Sequence, residues 1–165
     1  MKASRFTRRL CLAAVIAALY AAITIVTAPL SYGLVQLRLS EALIVLCPLA
    51  PSLGVGLTLG CFLANLFSTV TALDALVGTL ATALACLWTA RCKKDWFIPL
   101  PNVLVNAVLV GGLLAWVLFP EQPGVGFLLC AAQVGFGELV VMYGLGLPLL
   151  RFARRTGLME KLLGE

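Results

Sequence analysis

Few side chains in this sequence are equipped for chemistry, and their types narrow what that chemistry is. Arg38 and Glu41 stand three positions apart in the stretch VQLRLSEALIVLCP, Val35 to Pro48. Asn65, Asp74, Asn102, Asn106, Gln133 and Glu138 follow, each set in apolar sequence. Carboxylates, carboxamides and a guanidinium hold a polar ligand by charge and hydrogen bonds, and carboxylates also relay protons. The parts for making and breaking bonds are missing. The sequence has no histidine, no serine or cysteine with a recognisable base beside it, and no G-x-x-x-x-G-K-[ST] phosphate loop. The cysteines (Cys11, Cys47, Cys61, Cys86, Cys92, Cys130) form no C-x-x-C pair and lie mostly inside apolar runs. They read as small buried hydrophobes, so neither a metal nor a cofactor is expected. Binding or transport is therefore expected, and enzymatic activity is not.

Composition dictates what must position these groups. Hydrophobic residues fill 62% of the 165 positions and charged residues 12%, too few polar side chains to coat a water-soluble domain. The apolar runs are long and lack β alternation, which predicts an all-α integral membrane protein in the lipid bilayer. The net charge of +5 is gathered in clusters between apolar runs. That is the layout of a topology signal rather than of a nucleic-acid surface, and no nucleic acid is expected as a partner.

The expected organisation is a single membrane domain over 1–165, with helices at about 9–29, 41–50, 51–67, 72–90, 97–119 and 125–150 and an outer loop at 30–40. The block 41–68 is divided because Pro48, Pro51 and Gly54 in PLAPSLG disfavour one continuous helix. Charge parity supports the division. If the block crossed once, the basic residues Lys2, Arg5, Arg8 and Arg9 would face away from Arg91, Lys93 and Lys94. With a hairpin they share a side, joined by Arg151, Arg154, Arg155 and Lys161, and Arg38 alone lies opposite. The positive-inside rule then predicts a compact six-transmembrane-helix bundle, multi-pass in the cell membrane, with both termini cytoplasmic.

This topology puts Arg38 and Glu41 at the outer mouth. Ser40 suits a helix N-cap and Glu41 a first turn, where a carboxylate complements the helix dipole. Arg38 is expected to pair with Glu41, to meet a lipid phosphate or to contact a ligand. Asp74, at the outer start of its helix, suits a cap or a ligand contact. Asn102 and Asn106 are four apart and share a helical face, as interhelical hydrogen-bonding groups or as ligand donors. Trp116 and Phe119 fall where an interfacial aromatic belt is expected. In LAAVIAALYAA small residues recur every four positions, Ala13, Ala17 and Ala21 beside Ala14, Ala18 and Ala22. Such a ridge allows close helix contact, inside the protein or with a second membrane subunit.

The runs VQLRLSEALIVLCPLAP, GLTLGCFLANLFS, DALVGTLATALA, PNVLVNAVLVGGLL and GFGELVVMYGLGLPLL, in this order over about Leu10 to Leu150, resemble the QueT family. These are substrate-binding S components of energy-coupling factor (ECF) vitamin transporters. The resemblance implies an outward-opening ligand site and partners: a transmembrane coupling subunit and two cytoplasmic ATPases. It implies that an A-x-x-x-A ridge on the first helix contacts the coupling subunit, and Ala14 with Ala18 fits that ridge. The implied small-molecule ligand is a queuosine precursor, a 7-deazaguanine such as the aminomethyl form or queuine. On that ligand a carboxylate accepts the paired N–H groups, with Glu138 the first candidate. An amide of Asn106 or Gln133 would serve the ring carbonyl, and Glu41 or Asp74 would offset the aminomethyl cation. Arg38 and Asn65 complete the expected substrate-binding set, and Phe67 or Trp116 is the expected aromatic cover. Other readings are an S component for a different vitamin or nucleobase, a stand-alone proton-coupled carrier using Glu138 and Asp74, and a small assembly protein with no ligand.

Overall fold

The protein wears its apolar side chains outward. Val26 is 82% exposed and Leu128 70%, whereas Arg38, Glu41, Asp74, Asn102 and Glu138 are buried. That inversion is what a lipid solvent selects. The computed structural model describes residues 5–32, 36–68 and 73–163. Part of the expected outer loop, at 33–35, and the expected outer turn at 69–72 lie outside the described residues, as does Lys2.

Among the described residues the fold is all helix. Helix α1 (Arg5–Val26) leads into the short α2 (Ala28–Ser31), then a 3-10 helix (Leu39–Leu46), α3 (Leu53–Asn65) and α4 (Leu73–Thr89). A 3-10 turn (Asp95–Phe97) precedes α5 (Leu100–Leu118). Helix α6 (Pro123–Val141) runs through a π-helical turn (Met142–Gly146) into α7 (Leu147–Thr156), and α8 (Leu158–Leu163) follows. Three stretches are long and apolar enough to cross a membrane: Phe6–Val26, Asp95–Leu118 and Pro123–Thr156. Leu53–Asn65 and Leu73–Thr89 are shorter apolar helices.

Glycines set the helix contacts. A Cβ added at Gly56 would lie 2.3 Å from the Ala13 carbonyl oxygen, and one at Gly60 2.6 Å from that of Ala17. The Ala13/Ala17 ridge of α1 thus lies directly on a G-x-x-x-G face of α3, and the two helices run parallel. Helix α4 runs back along α3, since Gly54 meets Cys86 and Asn65 hydrogen-bonds Asp74. Helices α5 and α6 are antiparallel, with Gly111 against Ala131 and Gly126 against Phe119. Arg154 is ion-paired with Asp95, so the basic residues around 91–94 and 151–155 share one end of the bundle. The start of α1, level with the start of α3, lies at that end too.

Two elements differ from the sequence-based expectation. Where a helical arm was expected at 41–50, the chain forms a 3-10 helix over Leu39–Leu46, with Ser40 to Leu46 all buried. It packs against α1, α3, α4, α6 and α7. A 3-10 helix rises about 2 Å per residue against about 1.5 Å for an α-helix. It is thinner and longer per residue, which lets it thread the bundle centre and makes a short arm reach further. The last long helix does not stop near 150 but continues to Thr156 through the π-helical turn. Val134, Glu138, Met142, Gly146 and Leu150 are all buried at four-residue intervals. An α-helix would rotate such a series off its face, and the wider π turn restores it. Gly146 in that turn is needed for contact: its Cβ would lie 2.8 Å from Val45 on the 3-10 helix.

Replacing Gly56 or Gly60 by alanine is predicted to lower the melting temperature in detergent, with a loss of about 1–3 kcal/mol from overpacking. Gly124→Ala, where an added Cβ meets nothing within 4 Å, should melt like the parent.

Candidate functional site

Among the described residues the buried polar side chains other than Thr89 gather in the bundle interior and come from nearly every element. Helix α1 contributes Tyr20 and Thr24, which are four apart and so share a face. The segment 36–41 contributes Gln36, Arg38, Ser40 and Glu41. Helix α3 gives Cys61 and Asn65, α4 gives Asp74 and Thr82, α5 gives Asn102 and Asn106, and α6 gives Glu138.

At the end of the bundle away from the basic clusters, Arg38 Nη2 lies 3.5 and 3.4 Å from the two carboxylate oxygens of Asp74. Both side chains are buried, at 2% and 1% exposure. Burial alone would lower the Arg38 pKa, but the Asp74 charge overrides it and drives the value up, so the guanidinium stays charged. Its flat face also lies over the Tyr32 ring, 5.9 Å from the centroid. Ser68 donates to Asp74 Oδ2 (2.6 Å), and Asn65 Nδ2 donates to the Asp74 backbone carbonyl (3.2 Å). Gly78 makes room for this corner: a Cβ there would fall 2.4 Å from Asn65 Nδ2 and 3.3 Å from Arg38 Nη1.

Deeper in the bundle, Glu41 Oε1 accepts hydrogen bonds from the Tyr20 hydroxyl and from Thr82 Oγ1, the latter at 3.4 Å. Thr82 and Asn65 also donate to Cys61 Sγ, at 3.1 and 3.3 Å, which ties the Glu41 and Asp74 groups together. Asn102 Nδ2 donates to Glu138 Oε2 at 2.8 Å, and Asn106 Nδ2 donates to Asn102 Oδ1 at 3.0 Å. Among the described residues four buried side-chain polar atoms have no hydrogen-bond partner: Gln36 Nε2, Glu41 Oε2, Asn65 Oδ1 and Thr89 Oγ1. Thr89 ends α4 at the basic end of the bundle. The other three belong to residues of the cluster, and they offer one donor and two acceptors.

Arg38, Glu41, Asn65, Asp74, Asn106 and Glu138, all expected as site residues, are brought together here. Gln133 is not: it is exposed on the outer surface of α6, because its position falls off the face shared by Val134 and Glu138. Arg38 pairs with Asp74 rather than with Glu41, since Arg38 precedes the 3-10 helix in extended backbone while Glu41 lies within it and meets Tyr20. Ser40 does not cap its helix. The residue preceding that helix is Arg38, with no side-chain cap bond, and Ser40 shares a 2.6 Å hydrogen bond with Thr24 instead. Phe67 and Trp116, each 65% exposed, do not cover the cluster. Its aromatic members are Tyr20 and Tyr32. Ala14 and Ala18 are exposed on α1, to either side of the buried Ala17, which leaves them open to a neighbour.

Sequence reasoning passed over Tyr20, Thr24, Gln36, Cys61 and Thr82 as site residues. The spacing of Tyr20 and Thr24 on a helix of small apolar residues was a usable signal. Thr82 and Cys61 carried none, because both types are common in lipid-embedded helices.

Asp74→Ala strands a buried guanidinium and is predicted to cost about 3–5 kcal/mol of stability. The double variant Arg38→Met/Asp74→Leu should recover most of that loss. Thermal melts of the three proteins check this, and a single variant as stable as the parent would contradict it.

Two of the three comparisons with known proteins are negative: no curated protein and no solved structure matches the chain. The third is positive, for the family described as QueT transporter matches residues 10–155. That stretch takes in the whole buried polar cluster and all the apolar helices except the first residues of α1 and the last of the C-terminal helices. A transporter family accords with a polar site enclosed by lipid-facing helices and with the lack of catalytic groups in the sequence. The chain belongs to the QueT transporter family.

Proposed function

We propose that this protein is the substrate-binding S component of an ECF-type importer, which captures a 7-deazaguanine precursor of queuosine from outside the cell. The observation that carries the reading is the enclosed polar cluster with unpaired hydrogen-bonding atoms at its centre. Buried polar groups are almost always paired within a protein, so unpaired ones at the heart of a transporter suit a ligand. Glu41 Oε2 and Asn65 Oδ1 are acceptors for the ring N–H and exocyclic amine of a deazaguanine. Glu41 is a candidate for this role beside Glu138, because its Oε2 is buried without a partner among the described residues. The buried ionisable groups Arg38, Asp74, Glu41 and Glu138 include more carboxylates than guanidinium. That imbalance suits the cationic arm of an aminomethyl ligand.

The proposed topology has six passes, with both termini and the three basic clusters in the cytoplasm and Arg38 at the outer mouth. The exposed Ala14/Ala18 ridge is the proposed seat of the coupling subunit, and partner ATPases supply the energy. The same carboxylate excess supports a second reading, a stand-alone carrier driven by protons. Uptake that persists without ATPases and collapses with an uncoupler would select it.

In purified protein, aminomethyl-deazaguanine or queuine should raise the melting temperature by mass action, while guanine, riboflavin and thiamin raise it less. No shift with either deazaguanine at saturation would remove the ligand assignment. Glu41→Gln should weaken binding about tenfold or more. Ala14→Trp and Ala18→Trp should abolish co-purification of the coupling subunit and ATPases while leaving ligand binding intact. An undisturbed complex would remove the ridge from the docking surface.

A further inference from the structure

Gln36 is the one residue of the polar cluster with both an unusual backbone and an unused side chain. Its φ of 47° makes it the one described residue other than glycine in the left-handed region. Glutamine has no special tolerance for that conformation, unlike asparagine or glycine. A tight turn follows directly, with the Arg38 backbone N–H donating across Leu37 to the Gln36 carbonyl at 2.9 Å. Arg38 in turn is fixed by Asp74 and lies beside Asn65 at Gly78. Gln36 is 1% exposed, and among the described residues its Nε2 has no hydrogen-bond partner. A strained backbone that buries an unpaired donor is doubly unfavourable for folding alone, and such combinations cluster at ligand sites.

We propose that Gln36 is the hydrogen-bond donor of the ligand site: its carboxamide N–H binds a carbonyl acceptor on the bound heterocycle, beside the acceptors Glu41 Oε2 and Asn65 Oδ1. This rests on the ligand class proposed above and adds the group that reads the ring carbonyl. The residues expected to fill that role are otherwise placed. Asn106 Nδ2 donates to Asn102, and Gln133 faces outward. Asn65 cannot supply the donor, because its Nδ2 is held by the Asp74 carbonyl and Cys61. With Gln36 the unpaired set becomes one donor and two acceptors. That is the complement of a 6-oxo-2-amino heterocycle, which shows one acceptor and two donors on its pairing edge.

The test has two arms. In the first, ligand-free Gln36→Met is melted beside the parent. Methionine matches the length of glutamine without an amide, so losing an unpaired buried donor should raise the melting temperature by a few degrees. An unchanged or lower value would mean that the amide already has a partner in the protein, and would overturn the proposal. In the second arm, aminomethyl-deazaguanine is titrated against the same compound lacking the 6-oxo group. The compound without the 6-oxo group lacks both the ring carbonyl and the N1–H, so the parent should favour the 6-oxo compound by about a hundredfold, and Gln36→Met by only about tenfold, the part that belongs to N1–H. Gln36→Asn, which the left-handed backbone accepts and which draws the amide back, should fold normally and lose the same part of the preference. A preference undiminished in both variants overturns the proposal. If the parent binds neither compound, the ligand class of the previous subsection fails, and the ligand-free melts still decide whether Gln36 carries a free donor.

Discussion

Everything in this structure answers to the cost of holding one guanidinium and three carboxylates inside a bundle whose outer surface is apolar. Arg38, Glu41, Asp74 and Glu138 are all at most 1% exposed. An isolated charge in such surroundings costs several kcal/mol even after relaxation. Each is therefore tethered by neighbours from other elements: Asp74 by Arg38 and Ser68, Glu41 by Tyr20 and Thr82, Glu138 by Asn102. These tethers cross between helices, so the polar cluster does in the centre what an apolar core does in a soluble protein. It specifies which helix faces must meet.

Lipid supplies no hydrophobic force to bring helices together, so close approach has to come from shape. Gly56 and Gly60 let α1 lie against the backbone of α3, Gly111 does the same for α5 and α6, and Gly146 admits the 3-10 helix beside the π turn. The irregular helices follow from the same demand. A thin 3-10 helix carries Glu41 into the centre, and a π turn keeps Glu138 and Leu150 on one face. Two departures from regular geometry thus flank the polar cluster, where each positions a carboxylate-bearing element rather than merely filling space.

How much of this is legible in the sequence differs by level. The membrane class, the break at Pro48 to Pro51 and the apolar helices follow from composition and breakers, because lipid leaves the chain few alternatives. The gathering of Arg38, Glu41, Asn65, Asp74 and Glu138 is legible for a related reason: polar groups in apolar runs can only turn toward each other. Pairing within the cluster is not legible. Arg38 is three residues from Glu41, yet it pairs with Asp74, because Arg38 precedes the 3-10 helix in extended backbone (φ −85°, ψ 92°) while Glu41 lies within that helix and meets Tyr20. Gln133 shows the limit of a type-based choice. A carboxamide in a span suggests an inward role, but its angular position on α6 places it outside. Cys61 and Thr82 are bland in sequence and become linkers only through the register of α3 on α4.

The division of α1 into two small-residue ridges leaves one for internal packing and one at the surface. Ala17 is buried against Gly60 and serves the internal contact, whereas Ala14 and Ala18 lie exposed on another face of the same helix. A helix of leucines would make neither contact at backbone distance. The same helix carries Tyr20 and Thr24 into the polar cluster, and Tyr20 holds Glu41. One rigid element therefore touches the exposed ridge, the α3 contact and the carboxylate with a free oxygen. A displacement of α1 by a neighbour on the Ala14/Ala18 face would have to be taken up by the Tyr20–Glu41 contact, because the glycine face of α3 leaves no slack on the other side. A shift of α1 would thus be felt at the polar cluster through Tyr20 and Glu41.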